Sequence, residues 1–263
     1  MIARPAARLH VIPAIGCKLA LVLRRGPSRH VASLLWDRAS DVVKKGQWLK
    51  GRIYEHRTDL SPDGRHMIYF AGNGQRWWTA LSRAPFLRAI CYHPVDHTWH
   101  GGGAFDADGG VFFNGFHGPD ALPDRLRLAK PGALPPATDG VHMGGLFAAR
   151  MALRGWHDAG GAGYQQTMEK PVPGGWTLRQ TYALGARNRG LLSNAYTLIR
   201  QGQQVATDWE WAEPWKGGLQ LARAGAIWHA PLTKDGLGEA RLIHDFNAMA
   251  FEPLEAPYEG IRA

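Results

Sequence analysis

The sequence predicts an all-β fold, and three observations carry that expectation. The first is composition: 263 residues are 45% hydrophobic and only 20% charged, with 33 Gly and 17 Pro. That mix suits many short strands joined by tight turns and disfavours long helices. The second is a dense run of turn and strand signals between Asp59 and Leu81. The third is that comparable signals return along the chain. A chain of this length is able to bury a large core in one domain, and a single domain over residues 1–263 is the expectation.

The run DLSPDGRHMIYFAGNGQRWWTAL organises the rest. In Ser61-Pro62-Asp63-Gly64, Pro62 presets φ, Asp63 bonds nearby backbone and Gly64 accepts positive φ. Met67 to Ala71 is apolar and rich in strand formers, Asn73-Gly74 is a strong hairpin signal, and Trp77 to Leu81 reads as the returning strand.

Upstream, Leu19 to Leu23 and His30 to Trp36 flank the turn cluster Arg24 to Ser28, which reads as a hairpin. Val42 and Val43 open a further short segment. Arg52 to Leu60 reads as one strand in which Arg52, Glu55, Arg57 and Asp59 are interleaved with Ile53, Tyr54 and Leu60. Downstream, Leu87 to Tyr92 is a compact apolar strand. After the triple glycine Gly101 to Gly103, Ala104 to Asn114 again sets an Asp-Gly turn between short strands. Residues 115–145 hold Pro119, Pro123, Pro131, Pro135 and Pro136 with little periodicity, which predicts a long inserted surface loop of functional interest. Leu146 to Leu153 fits either a strand or a helical segment. Hairpins follow at 164–184 and 192–211, and strands at 219–223, 226–231 and 240–244.

The last unit overlays the first: Asp208 matches Asp59, Leu219 to Ala222 match Met67 to Phe70, and Trp228 to Pro231 match Trp78 to Leu81. Units of several strands recurring every 40 to 50 residues or so are the sequence form of a β-propeller. DLSPDGRHMIYF resembles the WD40-like, TolB-type propeller repeat, with its Ser-Pro-Asp-Gly turn before a strand ending in an aromatic. Residues 59–71 match well, and 106–113 and 208–222 are degenerate copies. The length then predicts five blades, with Met249 to Leu254 beside the first blade. A β-sandwich with a decorated loop is the alternative architecture.

The formal net charge is +9, and it is unevenly placed: +8 over residues 1–60, +5 over 61–200 and −4 over 201–263. A basic N-terminal part is compatible with nucleic acid or anionic surfaces, although solvated Lys and Arg are the commoner cause. Cys17 and Cys91 are the only cysteines, too few for a disulfide framework, so a cytoplasmic, reduced protein is expected. Ala14-Ile15-Gly16-Cys17 loosely resembles a lipoprotein cleavage box, but Pro13 and His10 interrupt an apolar run already too short for export. No apolar run reaches the length of a membrane span.

The richest side-chain cluster is Cys91-Tyr92-His93-Pro94-Val95-Asp96-His97-Thr98-Trp99-His100. Imidazole and thiolate are metal donors, but the spacing matches no zinc motif, and no metal or cofactor is expected. A binding reading places Asp96, His97, Trp99 and His100 beside glycines that let a ligand approach the backbone. The competing reading has the glycines making a tight strand entry and Trp99 packing between blades. His117 and His142, each near glycine, extend the pattern toward the same opening. Arg52 and Arg57 offer guanidinium forks to a carboxylate or phosphate, or else Arg57 pairs with Asp59 as a buried strut.

No phosphate loop, dinucleotide fingerprint, His-Glu-x-x-His, nucleophile elbow or Cys-x-x-Cys occurs. Trp77-Trp78, Trp209, Trp211 and Trp215 suit stacking on sugars or bases, or blade packing. The function expected is a non-enzymatic propeller that binds a protein or small polar ligand at one face. The alternatives are a carbohydrate hydrolase or lyase with convergent acids at the propeller axis, and nucleic-acid binding through the basic part.

Overall fold

The computed structural model describes residues 5–26, 29–135, 144–161, 165–184 and 192–261. They fall into two compact units, one of residues 1–10 and 154–248 and the other of residues 11–153 and 249–263.

In the larger unit, β2 (Leu19–Arg25), β3 (His30–Asp37) and β4 (Val43–Lys50) follow β1 (Arg8–Pro13), whose residues divide between the units, in one sheet of order β1-β2-β3-β4. The β2–β3 hairpin read from the sequence is present, with Leu21 opposite Leu35. A second sheet has the order β5-β7-β8-β9, made by β5 (Arg52–Ile53), β7 (His66–Gly72), β8 (Trp77–Arg83) and β9 (Ala89–Val95), with β6 (Asp59–Leu60) also pairing β7. The Ser61 to Gly64 turn forms as expected: Gly64 has φ +73° and donates its N–H to the Ser61 carbonyl. β10 (Gly103–Phe105) and β11 (Val111–Phe113) form a two-stranded hairpin, and α1 (Gly144–Leu153) is a helix.

Ile12, Leu21, Leu23 and Val31 of the first sheet share a core with Ile53, Leu60, Met67, Tyr69 and Ala80 of the second. Burying a Leu, Ile or Met of this set contributes about 1.5–3 kcal/mol. Ile68 and Leu81 face the other way, onto Phe105, Val111 and Phe113. This division follows the two-residue alternation of β7.

In the smaller unit, β12 (His157–Asp158), β13 (Gln165–Val172), β14 (Trp176–Leu184), β15 (Leu192–Arg200) and β16 (Gln203–Ala206) form an antiparallel meander. The last sheet is β17 (Trp211–Trp215), β18 (Gly218–Arg223), β19 (Ala226–Thr233) and β20 (Gly236–Leu237), with β21 (Arg241–Asp245) also on β19. The overlay of the last unit on the first holds at the level of pairing: β18 pairs β19 as β7 pairs β8.

The fold is thus built from propeller blades, and the described residues form four rather than the expected five. The unit expected around Asp106-Gly109 stops at two strands of three residues each. Its Asp106 side chain accepts N–H bonds from Asp108 and Gly110 and closes the turn, and the chain then leaves the ladder. Of the stretch expected as a long inserted loop, residues 115–135 carry one 3₁₀ turn at Pro123–Arg125 and a bridge from Val111 to Leu128. Residues 136–143 lie outside the described residues.

Arg52 to Leu60 is not one strand. A 3₁₀ turn at Glu55–Arg57 separates β5 from β6 and buries all three of its residues. Strand alternation therefore does not govern Arg57 and Asp59. Asp59, 1% exposed, faces the buried Arg150 of α1, whose Nε lies 3.3 Å from Oδ1, and accepts the Phe105 N–H at Oδ2. Arg150 also donates to the His56 carbonyl. The helix is thereby pinned to the second sheet by a buried charge with partners on both sides.

A candidate binding groove on the larger unit

The Asn73-Gly74 turn, with Gly74 at φ +95° and the Asn73 side chain accepting the Gln75 and Arg76 N–H groups, delivers Trp77 and Trp78 at the start of β8. Both indoles are half-buried. Trp78 lies opposite Pro94 on β9, and its ring centroid is 6.4 Å from that of Tyr92. Trp48 enters from β4 and Tyr69 from β7. Together with Arg76, Arg88 and Asp96 they line an open groove of about 1130 Å³.

Hydrogen bonds tie its walls together. Gln47 accepts the Leu87 and Arg88 N–H groups at 2.9 Å each and donates to the Leu254 carbonyl at 2.7 Å. The Tyr69 hydroxyl donates to the Leu87 carbonyl, and burial raises its pKa well above the usual phenol value. The C-terminal stretch runs along one wall without regular structure. Phe251 packs on Trp48, Lys45 pairs with Glu252 at 2.7 Å, the Tyr258 hydroxyl donates to the Arg88 carbonyl, and the Ile261 N–H reaches the Ala89 carbonyl. The tail therefore lies beside the first sheet, as expected, but is tied mainly by side chains.

The residues singled out from the sequence divide into three groups. Asp96 is exposed and lines the groove. His97, Trp99 and His100 lie beyond it: the His97 and His100 rings meet at 5.2 Å, and Trp99 is 54% exposed, so it does not pack between blades. His100 covers Gly115, where an added Cβ would come within 2.6 Å of its ring. His117 is exposed two residues on. His142 lies outside the described residues. Arg57 is buried and donates to the Thr98 and His100 carbonyls at 2.7 and 3.0 Å, with Phe70 beneath its guanidinium at 5.0 Å. It thus fastens the segment carrying Trp99 and His100. Arg52 stacks on Tyr54 at 4.6 Å.

The triple glycine serves packing. A Cβ on Gly102 would stand 2.2 Å from the Arg57 carbonyl oxygen, so backbone meets backbone where ligand access was expected. Burial raises the Cys91 thiol pKa, which disfavours the thiolate that binds metal. Two of the N-terminal cations are engaged internally: Arg25 pairs with Glu55 at 2.6 Å, and Arg24 donates to the Met249 carbonyl.

The groove itself was not read from the sequence. Its signal was the adjacent pair Trp77-Trp78 directly after a tight turn, both of which line the opening. Trp48, Arg88 and Ile261 join them through contacts distant in sequence.

No family model matches the chain, and no curated protein matches it. Among solved structures it is similar to hydrazine synthase of Kuenenia stuttgartiensis, at 10% identity over 91% of this chain and 88% of that one, with a TM-score of 0.36. It is also similar to the β-propeller domain of the Trilobed protease from Pyrococcus furiosus, at 9% identity over 96% and 100%, TM-score 0.31. A third is Pyrococcus horikoshii acylaminoacyl peptidase, at 12% identity over 92% of this chain and 52% of that one, TM-score 0.34. Likeness of this degree assigns no activity.

Proposed function

We propose that the chain is a non-catalytic binding module that takes its ligand in the groove of Trp48, Trp77, Trp78 and Tyr92. The observation that carries this is the concentration of half-buried aromatic rings around an open volume of about 1130 Å³, with Arg76, Arg88 and Asp96 at its edges. Concave, largely apolar sites with a few polar groups are where ligands gain most from burial. Binding is favoured over hydrolysis by the acid inventory. Two-carboxylate glycoside hydrolysis uses a pair of acids roughly 5 to 10 Å apart, whereas Asp96 is the sole carboxylate among the described residues of the groove.

The test is thermal unfolding of the full chain with a panel of oligosaccharides, peptides and nucleotides, alongside Trp77→Ala and Trp78→Ala. The expected outcome is that one class raises the wild-type midpoint by a few degrees and leaves both variants unmoved. Equal shifts in wild type and variants would place binding elsewhere.

A further inference from the structure

β9 ends its sheet, in the order β5-β7-β8-β9. Its outer edge, on the side away from β8, therefore presents unpaired backbone groups, and the register says which. Pro94 stands opposite Trp78, and Tyr92 stands opposite Ala80. Proline has no N–H to exchange, so the Trp78/Pro94 pair occupies a non-hydrogen-bonded position of the ladder. Alternation makes Ala80/Tyr92 the next such position and turns the Tyr92 N–H and carbonyl outward. An edge of this kind is a template for an added strand.

The chain's own tail engages this edge at one point. The Ile261 N–H donates to the Ala89 carbonyl at 2.9 Å, and Ile261 lines the groove. The wall leading to that point shows the chemistry it accepts. The segment Glu252-Pro253-Leu254-Glu255-Ala256-Pro257-Tyr258-Glu259 lies there without regular structure and with a bend at Pro257-Tyr258, with Glu252 on Lys45, Glu255 3.7 Å from Arg88, and the Leu254 carbonyl on Gln47. Among the described residues no backbone bond reaches this edge between Ile90 and Val95, and Tyr92 and Pro94 line the groove together with Arg76, Trp77 and Trp78.

We infer that this open stretch takes an extended, acidic, proline-containing peptide of a partner protein, added as a short strand along β9. The inference rests on the groove being the binding site. Backbone bonds to Tyr92 supply register, the indoles of Trp77 and Trp78 supply flat faces for proline rings, and Arg76 and Arg88 take carboxylates. Pro94 limits the added strand to a few residues, because no donor exists there to extend it.

The experiment is fluorescence anisotropy with a labelled peptide of sequence Glu-Pro-Leu-Glu-Ala-Pro-Tyr-Glu and its Glu-to-Lys counterpart, titrated with the full chain. The expected result is saturable binding that weakens at least tenfold for the Lys peptide and at least tenfold in Trp77→Ala and Arg76→Ala, with Trp99→Ala unchanged. Arg76 is exposed at a hairpin, so its replacement keeps the test open should an indole variant fold poorly. Binding that is indifferent to Trp77 and Arg76 overturns the placement. Maltohexaose, followed by tryptophan emission, separates the two readings. Quenching by the sugar, lost in Trp77→Ala, with no peptide binding, overturns the peptide and leaves the groove standing. Absence of both overturns both.

Discussion

Arg83 and Asp124 form a two-bond fork, Nε to Oδ2 and Nη2 to Oδ1, each at 2.6 Å. His66 Nε2 lies 2.9 Å from the same Oδ2. Asp124 and Arg125 both have positive φ, at 56° and 58°, a costly backbone for residues other than glycine. The fork thus fastens a strained turn to the end of β8.

That relationship predicts a pH dependence. Hydrogen bonds from Arg83 hold the Asp124 carboxyl far below its ordinary value near 3.8. A depressed carboxyl stabilises the fold above the unfolded-state value and loses that contribution as pH falls through the acid range. Asp124→Asn is therefore expected to cost about 1–2 kcal/mol at pH 7, the range for a charge-assisted pair discounted for the half-exposed Arg83. Urea unfolding of both proteins should show a gap that persists at pH 5 and narrows progressively as pH falls below about 4. A gap unchanged at pH 2 would remove the carboxylate from the account.

Gly102 and Gly74 make a matched pair of substitutions. Both have positive φ, but a Cβ on Gly102 would meet the Arg57 carbonyl oxygen at 2.2 Å, whereas one on Gly74 would meet nothing within 4 Å. Gly74→Ala should cost about 1 kcal/mol for the backbone alone. Gly102→Ala should cost about 3 kcal/mol or more, because main chain has to move. Equal losses in chemical denaturation would contradict the steric account.

In the smaller unit, Lys170 Nζ donates to Glu213 and to the Arg154 carbonyl, and Trp156 Nε1 donates to Glu213 at 3.2 Å. Both charged side chains are largely buried, at 16% and 9% exposure. Lys170→Met leaves the carboxylate without its cation and is expected to cost about 3 kcal/mol. Lys170→Met with Glu213→Leu should cost less than the sum of the single changes, and a double-mutant cycle reads the coupling directly. Strict additivity would show that the pair contributes nothing of its own.

Local chemistry was legible in the sequence and long-range closure was not. The Ser61 to Gly64 and Asn73-Gly74 turns formed because their residues supply the required φ values without tertiary help. Arg52 to Leu60 misled because alternating charges imitate a strand, while the buried demands of Glu55, His56 and Arg57 wind it into a 3₁₀ turn. Leu146 to Leu153 resolved as helix through Arg150, whose partner Asp59 lies far back in the chain. The fifth blade failed for want of strand length on either side of a well-formed turn. Of the described candidate residues only Asp96 reached the groove. The indoles that line it are explained more cheaply from the sequence as blade packing, since a strand's two faces are assigned by neighbours that sequence does not reveal.

The tail from Phe251 to Ile261 is fastened by Lys45, Gln47, Trp48 and Tyr258 side-chain contacts, and its described backbone bond to the sheet is that of Ile261. Amides outside a ladder exchange with solvent without waiting for global unfolding. In deuterium this stretch behaves as a zipper fastened at its teeth rather than along its tape. It labels early as one block, and labelling of Ala89 to Tyr92 reports separately on whether the neighbouring edge is filled.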